Sequence, residues 1–211
     1  MRRRWTLALA LALGLALPAC AGSPDPVFYA LSARKGTPRT SPELTIEMRR
    51  TGLPGYLDRP HIVRRSSAER LDLSADERWG APLDAMVGAT LAEDVAERLP
   101  SCVVYTEAGS ITSPADVRVE TDLSRFELAE DGAVRLVAGV AVRWTNSARS
   151  ATDANAPAPE DPVRVTRHTF SARPASKSTP DQVAALSHVL AQLADAIAAS
   201  VVQGPPTVPA P

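Results

Sequence analysis

The sequence predicts an α+β domain: an antiparallel β-sheet meander with two long amphipathic helices packed on one face. Three observations point there. Long stretches alternate apolar and polar residues, two segments space their apolar residues at helical intervals, and an Asp-Gly pair joins two of the alternating runs. A sheet with one apolar face and helices with one apolar stripe bury each other, which gives a two-layer sandwich.

In chain order, Val27-Phe28-Tyr29-Ala30-Leu31 reads as a first strand. Leu44, Ile46 and Met48 alternate with Thr45, Glu47 and Arg49, the period of a half-buried strand, and His61–Arg65 is a third short one. Residues 80–99 switch to helical spacing. Leu83, Val87, Leu91, Val95 and Leu99 recur every four residues, with Glu93, Asp94, Glu97 and Arg98 assigned to other faces. Pro82 suits the first turn and Pro100 prevents continuation. Burying such a stripe is worth about 1.5–3 kcal/mol per large side chain, so the helix faces the core.

Cys102–Thr106 forms the next strand. Val117, Val119, Thr121 and Leu123 then alternate with Arg118, Glu120 and Asp122, while Val134, Leu136, Val140, Val142 and Trp144 share one parity. Asp131-Gly132 between them signals a hairpin. Asn146–Glu160, rich in Ala, Ser, Asp and Pro, reads as a mobile loop before a last strand, Val163–Ala172. Thr179-Pro180-Asp181-Gln182 offers a helix N-cap followed by proline and glutamine. Val183, Leu186, Leu190, Leu193, Ile197 and Val201 make the stripe of this second helix, and Gly204-Pro205-Pro206 stops it.

The N-terminus has a separate task. Arg2, Arg3 and Arg4 precede an apolar run from Leu7 to Leu17, and Ala19 occupies the cleavage position of a secretory signal. The run is shorter than the roughly 20 apolar residues that span a bilayer. Leu17-Pro18-Ala19-Cys20 resembles a bacterial lipobox. That resemblance implies diacylglycerol on the Cys20 thiol and an N-acyl chain on its amino group, with no other cofactor. Ala21 follows in place of aspartate, which by resemblance to Gram-negative sorting implies the periplasmic face of the outer membrane. The organisation is therefore a signal peptide at 1–19, lipidated Cys20 and a tether at 20–26, one domain at 27–202, and a Pro-rich disordered tail at 203–211. Six tether residues at about 3.5 Å each hold the domain within about 20 Å of its membrane.

The 23 Lys and Arg residues balance 24 Asp and Glu, for a net charge of −1, and removing the signal takes away three arginines. No concentrated basic face is available for nucleic acid. With Cys20 committed to lipid, Cys102 has no intramolecular partner and reads as a buried, inert thiol, with a reactive or intermolecular thiol as the lesser reading. His61, His168 and His188 show no metal-ligand spacing, and no nucleophile elbow, Walker loop or dinucleotide motif occurs. Neither a catalytic nor a metal site is expected, and the chain reads as no enzyme.

One segment stands apart. Pro54-Gly55-Tyr56-Leu57-Asp58-Arg59-Pro60 leads straight into the His61-Ile62-Val63 strand. It reads either as a structured connection or as a contact surface for another protein, since Tyr and Arg are favoured interface anchors.

Tyr56-Leu57-Asp58-Arg59-Pro60-His61-Ile62-Val63 resembles the YLDRPQIV motif of PqiC-like proteins, auxiliary lipoproteins of ABC-type and MCE-family transport systems. Arg78-Trp79-Gly80-Ala81-Pro82-Leu83 resembles the family's R-W-x-x-P-L at the head of the first helix, and Phe28-Tyr29-Ala30-Leu31 matches its Y-x-L strand. The sequence departs from the pattern at His61, where glutamine is commoner, in the loose segment 52–55, and in an apparent insertion at 147–160. The resemblance implies a non-catalytic docking or channel subunit supporting membrane integrity. Its implied partners are an MCE tunnel protein and inner-membrane transport subunits, and its implied assembly is a homo-oligomer. Tyr56, Leu57, Asp58, Arg59, Pro60, Arg78 and Trp79 are the candidate partner or subunit contacts. The competing readings are a stand-alone periplasmic lipid-binding lipoprotein with a pocket between helices and sheet, and a lipid-anchored hydrolase.

Overall fold

The computed structural model describes residues 25–111, 113–145 and 161–206. The signal peptide, Cys20, the start of the tether, residues 146–160 and the last five residues lie outside the described residues. Along the rest the chain forms β1 (Val27–Tyr29), β2 (Thr45–Met48), β3 (His61–Arg65), β4 (Leu71–Trp79), α1 (Leu83–Arg98), β5 (Val103–Thr106), β6 (Val117–Leu128), β7 (Val134–Trp144), β8 (Val163–Ala172) and α2 (Thr179–Val202).

The eight strands make one sheet with β6 as its trunk. On one side β6, β7 and β8 form the antiparallel meander the sequence predicts, with Gly132 at φ 75° turning the β6–β7 hairpin. On the other side the expectation of a purely antiparallel meander fails, because the sheet is mixed. Residues 45–52 run parallel to the first half of β6, the chain leaves the edge at Leu53, and β3 rejoins β6 in parallel at Arg64 opposite Leu128. Two strands in tandem thus share one edge of β6, and the sheet forks there. One arm adds β4 antiparallel to β3 and β1 parallel to β4; the other adds β5 parallel to β2. The physical reason is that apolar/polar alternation records which face is buried and not which way a neighbour runs. The parallel β2–β5 pair is joined through β3, β4 and α1, the long connection that a parallel arrangement requires.

The helices cover the face carrying Ile46, Met48, Val117, Val119, Leu123, Leu136 and Val140, all at most 2% exposed. α2 lies over β6, β7 and β8, while α1 packs on α2 and β5. Val87, Leu91, Val95, Val189, Leu190, Leu193 and Ile197 fill the space between the layers. Although α2 is long and apolar enough to cross a membrane, 67% of its most apolar stretch is buried inside this domain. Ser178, one residue before the predicted cap, caps α2 by accepting a hydrogen bond from the Asp181 backbone N–H, so Thr179 is already helical.

A second correction concerns α1. Asp94 and Arg98, assigned from spacing to a polar face, are 0% and 1% exposed. They are buried because residues 32–39, running from β1 toward β2, strap across both helices. The Arg34 backbone N–H donates to Asp94 at 2.6 Å, Arg98 donates to the Arg34 carbonyl, and the Arg39 N–H donates to the Arg98 carbonyl. Ser32 reaches Ser187 of α2 in the same way.

Candidate functional site

The two family-like segments, separated by residues 64–77, meet at the fork. The loop between the tandem strands carries Tyr56–Pro60 out from the sheet edge, and β4 delivers Arg78 and Trp79 to the same place before α1 begins. The Trp79 backbone N–H donates to the Pro60 carbonyl at 2.7 Å, and the Gly80 N–H donates to Tyr29, tying loop, β4 and β1 into one corner. Between them opens a hollow of about 380 Å³ lined by Asp58, Arg59, Pro60, Trp79, Ala81, Pro82 and Leu83. Neighbouring hollows share Asp58, or Pro82 and Asp84, with it or with each other, so a trough runs along the fork past Arg50 and Thr51 toward Thr106.

The candidate contact residues divide by burial. Leu57 (2% exposed) and Trp79 (5%) belong to the core. Tyr56 is half-buried, and its hydroxyl donates to Glu127 of β6 at 2.8 Å. Glu127 is itself 1% exposed and accepts from Arg65 at 3.0 Å, while the Arg65 guanidinium lies 5.7 Å from the Tyr56 ring centre. Burial first, and the Glu127 carboxylate next, push the Tyr56 hydroxyl up to about 12. Asp58, Arg59 and Pro60 are exposed. Arg78 is half-buried, aligned with Phe28 of β1 and His61 of β3, and its Nε has no partner among the described residues. Tyr56, Leu57 and Trp79 thus hold the loop, while Asp58, Arg59 and Pro60 present it.

The rest of the trough was not singled out from sequence. Arg50 spans it to Asp84, with Nε and Nη2 each 2.8 Å from the carboxylate. Asp84 lies in the first turn of α1, where the helix dipole favours a negative charge. An acidic residue just after a helix-initiating proline was the available signal. Glu127 had none, because its partner Tyr56 is 71 residues away. Chemically, the trough offers apolar lining with both acidic (Asp58, Asp84) and basic (Arg49, Arg50, Arg59) side chains along it. That arrangement suits holding another chain.

The histidines are dispersed. His61 lies on β3, His188 is exposed on α2, and His168 on β8 bonds Thr166 and stacks on Phe170 with ring centres 5.9 Å apart. No group of three His, Cys, Asp or Glu able to hold a metal occurs among the described residues. Cys102 is half-buried and lies 3.3 Å from the Ser41 hydroxyl, rather than enclosed in the core.

Two solved structures share the architecture. A crystal structure of an uncharacterized protein superposes with a TM-score of 0.65 at 16% identity, covering 84% of this chain and 99% of its own. A Xanthomonas campestris protein of the DUF330 family gives 0.64 at 16% identity, covering 84% and 96%. At that identity the likeness establishes the fold. No protein of curated function matches the sequence. The family model that does match, over residues 29–198, spans the strap, both arms of the fork and nearly all of α2. It places the chain in the family of ABC-type transport auxiliary lipoprotein components.

Proposed function

We propose that this auxiliary lipoprotein is the outer-membrane docking component of an MCE/ABC-type lipid transport system, anchored through lipid on Cys20 and facing the periplasm. It works there as a homo-oligomer. The exposed Asp58-Arg59-Pro60 turn and the trough beside it receive the MCE tunnel protein or a neighbouring subunit. The carrying observation is the convergence of the two family-like segments on one rigid, exposed corner. The membership in a transport auxiliary family supports a role that is not enzymatic. The filled space between helices and sheet favours docking over enclosure of a lipid inside the domain.

The test is site-specific photocrosslinking in intact cells. A photoreactive residue at Arg59 is expected to capture the tunnel protein or a second copy of this chain, and one at Val165, exposed on the far face of β8, is not. Capture from Val165 alone would move the docking face away from the fork. Arg59→Ala is expected to lower complementation of a membrane-integrity defect without changing the thermal unfolding midpoint. Full complementation by Arg59→Ala would remove that residue from the contact.

A further inference from the structure

The strap over the helices encloses a second feature, unrelated to the fork. A pocket of about 500 Å³ opens between strap residues 34–37 and the adjoining faces of α1 and α2. Its base is Arg98, which is 1% exposed. The guanidinium donates from Nε to Asp195 at 2.5 Å and from Nη1 to the Asp94 and Arg34 carbonyls. Nη2 makes no hydrogen bond among the described residues, and Arg98 is one of the residues that line the pocket. Gly36 lies directly over this group: a Cβ there would come within 2.4 Å of the guanidinium carbon. The strap therefore needs glycine at this point to pass so close to the guanidinium.

The charge around the opening is unbalanced. Arg34, Lys35 and Arg98 contribute three cations, against Asp195 on the wall and Asp94 behind. Arg98 pairs with both carboxylates, at 2.5 Å to Asp195 and 3.6 Å to Asp94, and Asp94 also accepts the Arg34 backbone N–H, so the unpaired positive charge is that of Arg34 and Lys35. Lys35 and His188, both exposed at the mouth, have no hydrogen bond or ion pair among the described residues. A planar guanidinium with free N–H groups, joined by an ammonium, matches the geometry of an oxyanion. The space is within the range of small-molecule sites and much larger than a bare ion requires.

We infer that the pocket under the strap is a binding site for a phosphate group, held by Arg98 Nη2 and Lys35 with His188 at the rim. The inference stands apart from the docking reading, since it uses neither the fork nor Cys20. Phosphate could arrive free or as the headgroup of a lipid, and the two sources are separable.

The experiment is calorimetric titration of the full-length lipidated protein in non-ionic detergent with two probes, inorganic phosphate and glycerophosphoglycerol. Saturable binding of at least one is expected. The double variant Lys35→Ala/His188→Ala is expected to weaken it at least tenfold with no change in the unfolding midpoint, because neither side chain holds the strap. Tighter binding of glycerophosphoglycerol would assign the site to a phosphodiester headgroup, and tighter binding of inorganic phosphate to the free anion. No saturable binding of either probe, or equal affinity in the double variant, would overturn the site. Loss of fork crosslinks with binding intact would overturn only the docking proposal.

Discussion

Tyr56 carries more of the fold than its place in an exposed turn suggests. Its hydroxyl satisfies a carboxylate that the sheet has almost wholly enclosed, and its ring lies beside the Arg65 guanidinium that neutralises the same carboxylate. Hydrogen bonds to charged groups contribute about 1.5–3 kcal/mol, so Tyr56→Phe is expected to lower stability in urea unfolding by that order. Its ionisation, pushed up to about 12, should give an alkaline absorbance step near that pH which Tyr56→Phe lacks. Glu77 gives the opposite pH signature. Burial works against its charge, yet hydrogen bonds from Ser74, Thr179 and Arg64 and the charge of Arg64 hold it down to about 2. A carboxylate with a depressed native pKa stabilises the fold above its unfolded value and loses that contribution as pH falls through the native one. Between about pH 4.5 and 2 the wild type should therefore lose stability that Glu77→Gln never had. Comparing the acid limbs of the two unfolding curves checks this. The long-range partnerships were not legible in the sequence: Arg64 meets Thr179 across 115 residues and Tyr56 meets Glu127 across 71. Asp94 and Arg98 looked solvated because helical spacing alone cannot reveal a strap lying over a polar face.

At the scale of elements, whatever repeats along the chain was readable. Both helices, the β6–β7 hairpin and β8 follow from periods of 3.6 and 2, and Val163–Ala172 forms over the residues its alternation marked out. The elements that fail to repeat were missed. β4 begins with Leu71 and Leu73 but turns polar at Ser74–Arg78, and the strap has no period. Strand direction left no trace, since a parallel neighbour and an antiparallel one bury the same parity. The cap of α2 was displaced by one residue because Ser178 and Thr179 both have the chemistry, and only backbone geometry separates them. Ser178→Ala is expected to cost about 1 kcal/mol, and Thr179→Ala should disturb instead its bond from Arg64. Chemical denaturation of the pair would distinguish cap from partner.

For the molecule as a whole, one core joins both arms of the fork to both helices. Trp79 reports on the fork, and Trp144, beneath Arg164 at 5.5 Å, reports on the end of β7. If the domain unfolds as one unit, single-tryptophan mature variants carrying Trp79→Phe or Trp144→Phe should give the same fluorescence midpoint as circular dichroism. Separate midpoints would mean that an arm of the fork melts independently.

The tandem pairing of β2 and β3 along β6 also dictates an order of events. The Tyr56–Pro60 turn is made early in the chain, but the strand that pins both of its ends, and the carboxylate that receives its tyrosine, come some sixty to seventy residues later. Closing contacts across such separations is slow compared with forming local helices and hairpins. The exposed corner therefore cannot take shape on a nascent or half-folded chain. Under the proposed docking role it would act as a certificate of maturity: a partner gripping Asp58-Arg59-Pro60 would engage only copies whose trunk strand is already in place.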